Sequence, residues 1–545
     1  MSRHPLSASS LLALWLPLCA LCAQEKKPTP SAPLPKDRAT GAEQISEEHL
    51  RTWLGKLASP EFEGRGTGQE GFRKAAEYMK AHFERLGLKG GAEDGGYLQP
   101  VPWTLTSATP VGKGLVIQKG DQVLWSLDVE HGLRGSASVE TNIDDPLALV
   151  ISGSEDGSDL ADLDLGGHAV IVVVRRATDD TASGNARDRA MRRMRGSMAI
   201  QSAVSKANGR FVAIADDQAY ERAGKFDPSS RPGQAAAGPA ASRRGNLPTA
   251  CTIRIADATA ILHALGDGRA LDAIAAPGLI TAPEVRLHLA IEVKNEQAPA
   301  WNVLGILPGS GDSGEFVGIG CHLDHLGIRN GVISPGADDD GSGSAGLMAI
   351  SQAFAQNPVK PRRSILFMAF CGEEMGLIGS GFFAKNPTVP LEKMVAELQI
   401  DMIGRDEEGE QGEERAEDNL DCLHLIGSQK ISDDLHRVCM RLNDERAHFA
   451  LEWDQEGVFY RSDHWNFARE GVPIAFFFTG FHPQYHQPTD TIDRIDFHKL
   501  QRVATYVYDI GFELAQAEDR PLIDSDKWKS LRGKAREEPA APVRK

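Results

Sequence analysis

The chain has 545 residues, a formal net charge of −17 at pH 7 and an apolar fraction of 41%. This length exceeds that of one ordinary domain, so we expect two or more folded units. The apolar fraction is sufficient to form hydrophobic cores, which argues against a wholly disordered chain. The negative charge argues against nucleic acid or an anionic membrane surface as the partner.

Residues 1–23 have the pattern of a secretory signal peptide. A short basic start precedes an apolar run from Leu11 to Leu18, and small residues lead to a cleavage point near Ala23. The run, at roughly a dozen residues, is short for a membrane span. We therefore expect export to the periplasm or the exterior. A lipid anchor on Cys19 or Cys22 is the alternative, which the leucines preceding these cysteines disfavour.

The next segments predict a linker and two helices. Residues 24–43, rich in proline and lysine, predict an extended, flexible linker. Within residues 44–103, apolar spacing predicts a helix capped by Ser46 and a second helix that ends at Gly87.

Three further units follow along the chain. In residues 104–298, apolar runs such as Leu147–Ser152 and His168–Val174 alternate with turns, which predicts a β-rich unit. Residues 299–516 alternate apolar runs with helical patterns, which predicts an α/β unit with a largely parallel sheet. The acidic stretch Asp406–Asp418 predicts a solvated loop insertion, and residues 517–545 predict a polar, loosely held tail. Five cysteines remain after cleavage; Cys422 and Cys439 are candidates for a disulfide, with unpaired buried thiols the alternative.

Polar residues follow each predicted strand of the α/β unit. The strands are predicted at Phe316–Cys321, Ser364–Cys371, Val395–Ile400 and Pro473–Phe478. The residues that follow them, or lie in the loop after the first, are His322, Asp324, Asp338–Asp340, Glu373, Glu374, Asp401 and His486. Since functional groups gather outside the carboxyl ends of strands in open α/β sheets, we expect these side chains to meet at one edge.

This set of imidazoles and carboxylates suits a pair of divalent ions. A mixed nitrogen and oxygen donor set favours zinc, with cobalt or manganese tolerable. Two ions about 3.5–4 Å apart can hold a hydroxide and polarise a carbonyl, which is the chemistry of amide hydrolysis. In the Glu373-Glu374 pair, one residue is expected to bind metal and the other to act as general base. Asp324 is placed to accept the second N–H of the His322 imidazole.

Each of these motifs also has a simpler explanation when taken alone. His322-Leu-Asp324 is an ordinary hydrogen-bonding pair, and Asp338–Asp340 is an ordinary turn or calcium loop. Glu373-Glu374 is an ordinary acidic helix start. Their occurrence in this order, each after a predicted strand, favours a single site.

Residues 301–515 resemble the catalytic domain of the co-catalytic zinc aminopeptidases, the metallopeptidase family that includes bacterial leucyl aminopeptidases and glutamate carboxypeptidases. The matching stretches are Gly320–His325, Pro335–Gly343, Gly372–Gly376, Gln399–Asp401, Arg461–His464 and Tyr485–His486. The resemblance implies a zinc-exopeptidase-like fold with a mixed, mostly parallel sheet flanked by helices. It further implies that residues 44–103, with the Glu63–Gly68 stretch, form the N-terminal part of the catalytic domain, and that residues 104–298 form an inserted β-rich protease-associated domain. This inserted domain is expected to shape or cover the substrate entrance, with a stabilising or partner-binding appendage as the alternative.

The same resemblance implies roles for particular residues. Two zinc ions per chain are expected, with Asp339 as the bridging ligand and Glu373 as the general base. The remaining ligands would be Glu374 and His486 on one ion and His322 and Asp401 on the other. A cis peptide bond is expected between Asp339 and Asp340. Tyr460 is the candidate for the tyrosine that donates to the oxyanion in relatives, and Ser462–His464 are expected to line the pocket, although His464 could be a core histidine.

The expected function is that of a secreted zinc aminopeptidase that acts on peptide or protein N-termini. A glutamate-carboxypeptidase-like hydrolase is the first alternative, for which Arg461 is the candidate binder of a terminal carboxylate. A catalytically inactive receptor or binding scaffold is the second alternative, which the presence of Glu373 disfavours. A glutaminyl cyclase on this fold would need one zinc ion, whereas His322 and Asp401 beside Asp339 favour two.

Overall fold

The computed structural model describes residues 32–136, 140–175, 186–222, 250–329, 331–407, 421–531, 540 and 542–543. The predicted signal peptide, the first part of the predicted linker and most of the acidic insertion lie outside these residues. Within the described ranges, the strands form two nine-stranded sheets and one two-stranded ribbon.

The helices of the described residues, numbered in chain order, are α1 (Ala39–Ala42), α2 (Glu47–Leu57), α3 (Glu70–Arg85), α4 (Ala186–Lys206), α5 (Asp217–Arg222), α6 (Ile255–Ala264), α7 (Gly343–Gln356), α8 (Ile378–Lys385), α9 (Ser428–Ile431), α10 (Asp433–Leu442), α11 (His464–Arg469), α12 (Phe497–Gln516) and α13 (Ser525–Leu531). The strands are β1 (Lys89–Gly90), β2 (Leu98–Pro100), β3 (Thr104–Pro110), β4 (Leu115–Lys119), β5 (Gln122–Leu127), β6 (Arg134–Ser136), β7 (Thr141–Ser152), β8 (Ala169–Val174), β9 (Arg210–Ala215), β10 (Ala250–Ile253), β11 (Gly278–Gln297), β12 (Trp301–Leu307), β13 (Phe316–His322), β14 (Gly327–Arg329), β15 (Val332–Ser334), β16 (Ser364–Phe370), β17 (Met394–Ile400), β18 (Cys422–Ile426), β19 (Ala450–Glu452) and β20 (Ile474–Phe478).

The first sheet has the strand order β1-β12-β16-β13-β17-β20-β18-β19, and β2 also pairs with β12. Its four central strands, β16, β13, β17 and β20, are the four predicted strands, and they run parallel to one another. The flanking strands β12 and β18 are antiparallel to their inner neighbours. The predicted mixed α/β sheet flanked by helices is therefore confirmed, with the parallel pairing concentrated at its centre.

Both faces of this sheet are buried, because its strands carry apolar residues at nearly every position. In β16, Ile365, Phe367 and Ala369 enter one core, whereas Leu366 and Met368 enter the other. This alternation is the consequence of the two-residue period of a strand. Helices α2, α3, α7, α10 and α12 cover the first face, and α8, α9, α11 and α13 cover the second.

The N-terminal segment packs on the first face. Helix α2 begins after Ser46, whose hydroxyl accepts the backbone N–H of His49 at 3.3 Å, so the predicted cap is confirmed. The prediction of an extended linker as far as residue 43 is wrong for its last part. Arg38 is buried and its guanidinium lies 2.8 Å from a carboxylate oxygen of Asp509 in α12. This buried ion pair anchors α1 to the domain.

The second sheet is formed by residues between Thr104 and Gln297, with the strand order β5-β4-β11-β7-β8-β9-β10-β6 and β3 beside β11. It has apolar cores separate from those of the first sheet. Strands β7, β8, β9 and β10 are parallel neighbours, and helices α4, α5 and α6 accompany them. This unit is therefore an α/β layer rather than a purely β-rich one, and its identity as a protease-associated domain stays a prediction.

The C-terminal residues contain a packed helix. The prediction of a loosely held tail after residue 516 is wrong for residues 525–531, which form α13. The Trp528 side chain is fully buried, and its indole N–H donates to the carbonyl of Ala468 at 3.1 Å. A single large aromatic ring therefore fixes this segment against α11.

The five cysteines of the predicted mature chain are buried free thiols in the structure, including Cys422 and Cys439. Of the two alternatives for this pair, the structure shows the unpaired one. Among the described helices, none is both long and apolar enough to cross a membrane.

Candidate active site

The carboxyl ends of the parallel strands bring the predicted polar residues to one edge of the first sheet. His322 is the last residue of β13, and Asp401 directly follows β17. Glu373 follows β16 by three residues, and His486 lies in the loop after β20. The adjacent, parallel pairing of these strands is the reason that residues more than 150 positions apart in the sequence meet in space.

The loop from Ala337 to Ser342 places Asp339 at the centre of this edge. Its residues are buried, and the peptide bond between Asp339 and Asp340 is cis, as the resemblance implied. The Asp490 carboxylate accepts the backbone N–H groups of Asp338 at 3.0 Å and of Asp339 at 3.2 Å. The Asp340 carboxylate accepts other backbone N–H groups, among them that of Met402 at 3.1 Å. Buried carboxylates thus hold the backbone of this loop.

The two oxygens of Asp339 face two different groups of residues. Its Oδ1 lies 3.3 Å from Nε2 of His322, which is itself 3.4 Å from Oδ1 of Asp401. Its Oδ2 lies 3.1 Å from Nε2 of His486, which is 3.0 Å from Oε2 of Glu374. The structure therefore brings together the five residues predicted as metal ligands, in two groups that share Asp339.

This arrangement fits metal ions by its chemistry and by its spacing. Zinc bonds of about 2.0–2.2 Å to nitrogen and oxygen imply ligand separations of about 3.3–3.6 Å in a tetrahedron. The four separations around Asp339 span 3.0–3.4 Å. Imidazole and carboxylate donors are those that zinc accepts. The residues present thus fit a two-metal centre with Asp339 between the two positions.

Glu373 and Glu374 diverge at the end of β16. Gly372 has a left-handed backbone (φ +67°), which turns the chain out of the strand. The Glu373 carboxylate consequently lies on the His322 side, with Oε2 3.9 Å from Nε2 of that imidazole. Glu374 lies on the opposite side, next to His486. The divergence predicted for this pair is observed, and it leaves Glu373 beside the proposed ligands rather than among them.

Carboxylates surround the imidazoles closely enough to change their pKa. Burial alone would lower the pKa of His322, but Asp401 raises it well above the ordinary value. Burial also opposes the charge of His486, yet Glu374 and Asp339 raise its pKa to about 10. The site therefore attracts positive charge strongly, as a cation-binding centre requires.

For Glu373, burial favours the neutral, protonated form of the side chain. Burial, reinforced by Glu374 and Asp401 and opposed by His322, raises the pKa of Glu373 well above its ordinary value. A carboxyl group whose proton affinity is increased in this way is suited to take up and release a proton.

Asp324 supports the site through two different groups. Its backbone carbonyl lies 2.9 Å from Nδ1 of His322, whereas its carboxylate Oδ1 is 3.8 Å from the same nitrogen. The carboxylate instead accepts the backbone N–H of Glu373 at 3.2 Å. The sequence prediction that the Asp324 carboxylate accepts the imidazole N–H is therefore wrong: the backbone carbonyl of Asp324 takes that position, and the carboxylate binds the Glu373 N–H.

Arg65 is a supporting residue that sequence reasoning missed. Its guanidinium is fully buried and donates to the carbonyls of Leu323 at 2.9 Å, Pro335 at 2.8 Å and Gly336 at 2.8 Å. These carbonyls lie in the two loops that carry His322 and Asp339. The only sequence signal is the Glu63–Gly68 stretch, which gives no indication of which loops an arginine within it would contact.

A cleft opens onto these residues. Its lining combines the polar centre with an apolar wall and consists of His322, Asp339, Glu373, Asp401, Met402, Val458, Arg461, Ser462, Phe476, Phe478, Phe481 and Tyr485. Ser462 donates to Oδ2 of Asp401 at 2.7 Å, so it helps to orient that carboxylate. The cleft thus brings apolar side chains next to the polar centre.

The tyrosine at this cleft is Tyr485 and not Tyr460. Tyr460 is 54% exposed and packs its ring against Phe459 and Trp465, outside the lining that the described residues provide. Tyr485 stacks on the His486 ring with centroids 3.8 Å apart. The adjacency of Tyr485 to His486 in the sequence is a signal that could have identified it.

Three further histidines near the site differ in their surroundings. His325 Nδ1 lies 2.7 Å from Oε1 of Glu374, so this imidazole is a close neighbour that the sequence did not single out. His482 Nε2 lies 3.3 Å from Oδ2 of Asp338, in the loop from Ala337 to Ser342. His464 stacks on Phe476, and burial lowers its pKa to about 3, so it is a core histidine, the simpler of its two explanations.

Comparison with protein families matches residues 302–511 to peptidase family M28. Among similar curated proteins, a probable leucine aminopeptidase of Arthroderma otae is 29% identical over 227 residues, which cover 40% of this chain and 58% of the relative. Aminopeptidase YwaD of Bacillus subtilis is 27% identical over 229 residues, which cover 40% of this chain and 46% of the relative. The matched part thus spans about half the length of these relatives.

Two solved structures share the fold over most of the chain. An aminopeptidase from Aneurinibacillus sp. strain AM-1 matches with a TM-score of 0.53 and 19% identity, covering 93% of this chain and 100% of that chain. A zinc aminopeptidase from Bacillus subtilis matches with a TM-score of 0.54 and 16% identity, covering 87% and 96%. Residues 302–511 therefore match the family that the strand-end motifs indicated: this part of the chain is similar to peptidase family M28.

Proposed function

We propose that the protein is a zinc aminopeptidase that holds two zinc ions between His322 and Asp401 on one side and Glu374 and His486 on the other, with Asp339 as the shared ligand. The observation that carries this proposal is the position of Asp339, whose two oxygens lie 3.3 Å and 3.1 Å from the two imidazoles. A carboxylate that contacts two donor groups at once is suited to bridge two ions.

Bound zinc supplies Lewis acidity, which polarises a peptide carbonyl and increases the acidity of water. Glu373 lines the cleft and lies outside the two ligand groups, so we assign it the general base. Its carboxylate would accept a proton from the attacking water and then deliver that proton to the leaving amine. The hydrogen bond that its backbone N–H donates to the Asp324 carboxylate fixes the chain at this point, which positions the Glu373 carboxylate.

Tyr485 is the candidate donor to the developing oxyanion. Its hydroxyl accepts a hydrogen bond from Arg461 at 3.1 Å, which leaves the phenolic proton available for a substrate oxygen. Stacking on His486 holds the ring at the cleft. We therefore assign to Tyr485 the role that sequence reasoning gave to Tyr460.

The lining of the cleft favours an aminopeptidase over a carboxypeptidase. The relatives that match part of this chain carry aminopeptidase names, which supports the same activity here. Arg461 is the arginine that the described lining offers to a terminal carboxylate, and its guanidinium already donates to Tyr485. The wall of Val458, Phe476, Phe478 and Phe481 suits an apolar terminal side chain.

Two broader features are proposed on sequence evidence. The pattern of residues 1–23 supports export of the protein. The position of residues 104–298 between the two parts of the peptidase domain supports their role as an inserted protease-associated domain that shapes access to the cleft.

The decisive experiment compares the wild type with Glu373→Gln on peptides with free or blocked N-termini and with free or amidated C-termini. We expect two zinc ions at the catalytic ligands of both proteins and a loss in kcat of at least about 10²–10⁴-fold in the variant, the usual contribution of a general base. Glu84→Gln, an exposed change on α3, is the matched control and should retain full activity. Blocking the N-terminus should abolish hydrolysis, and amidating the C-terminus should have little effect.

Three results would contradict these assignments. An unchanged rate in Glu373→Gln would remove its role as base. A requirement for a free C-terminus would favour the carboxypeptidase. Wild-type protein that binds no transition metal would reject the proposed function altogether.

A further inference from the structure

A second group of side chains of the types that ligate metals lies at the edge of the first sheet, apart from the residues around Asp339. It consists of Glu407, Cys422, His424 and Glu452, which we call the edge cluster. Each residue contributes one donor atom, and all four atoms lie within 4.8 Å of one another. The sequence predicts Cys422 as a disulfide partner or a buried thiol and places Glu407 in a solvated loop insertion, so it does not indicate this cluster.

The strand pairing accounts for the convergence of these residues. Cys422 and His424 are two positions apart in β18, so both side chains point to the same side of the sheet. Strand β19 runs parallel to β18 with Glu452 directly opposite His424. Glu407 comes from the segment that follows Asp401. Three chain segments therefore meet at one point of the sheet edge.

The distances within the edge cluster match those of a tetrahedral zinc site. The His424 Nε2 atom lies 3.3 Å from Oε2 of Glu407 and 3.6 Å from Sγ of Cys422. Zinc bonds of about 2.0 Å to nitrogen or oxygen and about 2.3 Å to sulfur imply separations of about 3.3–3.8 Å between ligands. Both measured separations lie in this range, and Glu452 offers an oxygen within 4.8 Å of the other three donor atoms.

The surroundings of the edge cluster also suit a structural ion. Cys422 and His424 are buried, whereas Glu407 and Glu452 are half-buried at the rim. The Gln455 side chain donates to Oε1 of Glu407 at 2.9 Å, which leaves Oε2 directed towards His424. The nearby cation Lys499 is engaged by Asp406, with its Nζ 2.6 Å from a carboxylate oxygen.

We propose that the edge cluster binds a third zinc ion through Glu407, Cys422, His424 and Glu452, and that this ion is structural. Four protein ligands fill the coordination of zinc, which is the pattern of structural sites; catalytic sites keep one position open. This inference rests on the edge cluster alone and does not depend on the proposed peptidase activity.

The position of the edge cluster indicates what such an ion would stabilise. The His424 ring lies 5.7 Å from the ring of Phe478, which forms part of the cleft wall. The side chain of Glu407 lies against Gly480, where an added Cβ would come within 2.4 Å of the Glu407 Cβ. An ion here would link β18 and β19 to the segment after Asp401. Through the contacts with Phe478 and Gly480, it would stabilise the cleft wall.

Cobalt substitution of the full chain tests this proposal. A thiolate bound to Co²⁺ produces a ligand-to-metal charge-transfer band in the near ultraviolet, whereas the described catalytic ligands are imidazoles and carboxylates. We expect this band in the cobalt-loaded wild type and its loss in Cys422→Ser. Cys439→Ser changes another buried cysteine, outside the edge cluster, and should retain the band.

Metal counting provides the second measurement. We expect about three zinc ions per chain in the wild type, one fewer in Cys422→Ser and in His424→Gln, and an unchanged count in Cys439→Ser. A wild type that lacks the band, or a band that persists in Cys422→Ser, would overturn the proposal. A chain that binds two ions and shows no band would reject the edge site while leaving the catalytic pair intact.

Discussion

Asp324 and Glu373 are joined by a hydrogen bond in which the backbone N–H of Glu373 donates to Oδ1 of Asp324 at 3.2 Å. The backbone carbonyl of Asp324 lies 2.9 Å from Nδ1 of His322. One residue thus positions both the proposed base and a proposed ligand, the first through its side chain and the second through its main chain. Substitution of the side chain should therefore affect the base more than the metal.

We expect Asp324→Ala to lower kcat by about 10–100-fold, the usual cost of losing a supporting contact in a metal site. Metal content should remain near that of the wild type, because the carbonyl that contacts His322 is retained. Asp324→Asn, which preserves an acceptor for the Glu373 N–H, should recover part of the lost rate. Equal losses in both variants would show that the charge, and not the hydrogen bond, is what matters.

The two candidate tyrosines can be separated by matched substitutions. We expect Tyr485→Phe to reduce kcat by about 10²–10³-fold, as for the loss of one oxyanion donor, with a smaller change in KM. Tyr460→Phe should remain close to the wild type, because this ring packs on Phe459 and Trp465 outside the cleft. Steady-state kinetics on one apolar aminoacyl substrate decides between them, and a loss confined to Tyr460→Phe would reverse the assignment.

Removal of metal should weaken the fold as well as the activity. The carboxylates of Asp339, Glu374 and Asp401 would then have only the neighbouring imidazoles to compensate their charge. A ligand present at about 1,000 times its Kd stabilises the folded state by about 4 kcal/mol, so chelation should lower the Tm measurably. Differential scanning calorimetry with and without chelator measures the shift. Zinc should restore both Tm and activity, and equal Tm values would contradict a folded-state metal centre.

Glu315 should make stability depend on pH. It lies 2.6 Å from Nε of Arg363 and 3.1 Å from Nη1 of Arg520. Burial alone would raise the pKa of Glu315, but Arg363 and then Arg520 lower it below the usual value. Because the folded-state pKa is depressed, the stabilisation is present above the unfolded pKa of about 4.3 and is lost as pH falls through the folded value.

Glu315→Gln should therefore reduce the free energy of unfolding at pH 7 by about 1.5–3 kcal/mol, the range for hydrogen bonds to charged groups. The difference from the wild type should shrink as the pH falls below 4. Urea unfolding at pH 7 and at low pH measures both values. A difference that is independent of pH would mean that the pair contributes through packing rather than charge.

The packing of α13 can be tested with two tryptophans. Trp528 is fully buried, whereas Trp453 is 41% exposed. We expect Trp528→Ala to lower the free energy of unfolding by about 3–5 kcal/mol, the usual cost of removing a large buried aromatic ring. Trp453→Ala should change it by less than about 0.5 kcal/mol, as for an ordinary surface position. Similar effects of the two substitutions would contradict a docked C-terminal helix.

The sequence by itself determined the strands of the first sheet and the residues at their carboxyl ends. Continuous apolar runs specify strands buried on both faces, and His322, Glu373, Asp401 and His486 follow them directly or after a short loop. Because parallel neighbours end at one edge, the meeting of these residues follows from local pattern and topology together. The family match over residues 302–511 agrees with this inference.

Only the tertiary structure decided which groups turn towards that edge from the loops. Tyr485 instead of Tyr460, His325 beside Glu374, and the carbonyl instead of the carboxylate of Asp324 all depend on how loops fold over the strand ends. The same holds for Arg65, whose partners lie up to 271 positions away. Loop conformation is fixed by many distant contacts, whereas strand ends are fixed by local apolar patterns, so the sequence could specify the second and not the first.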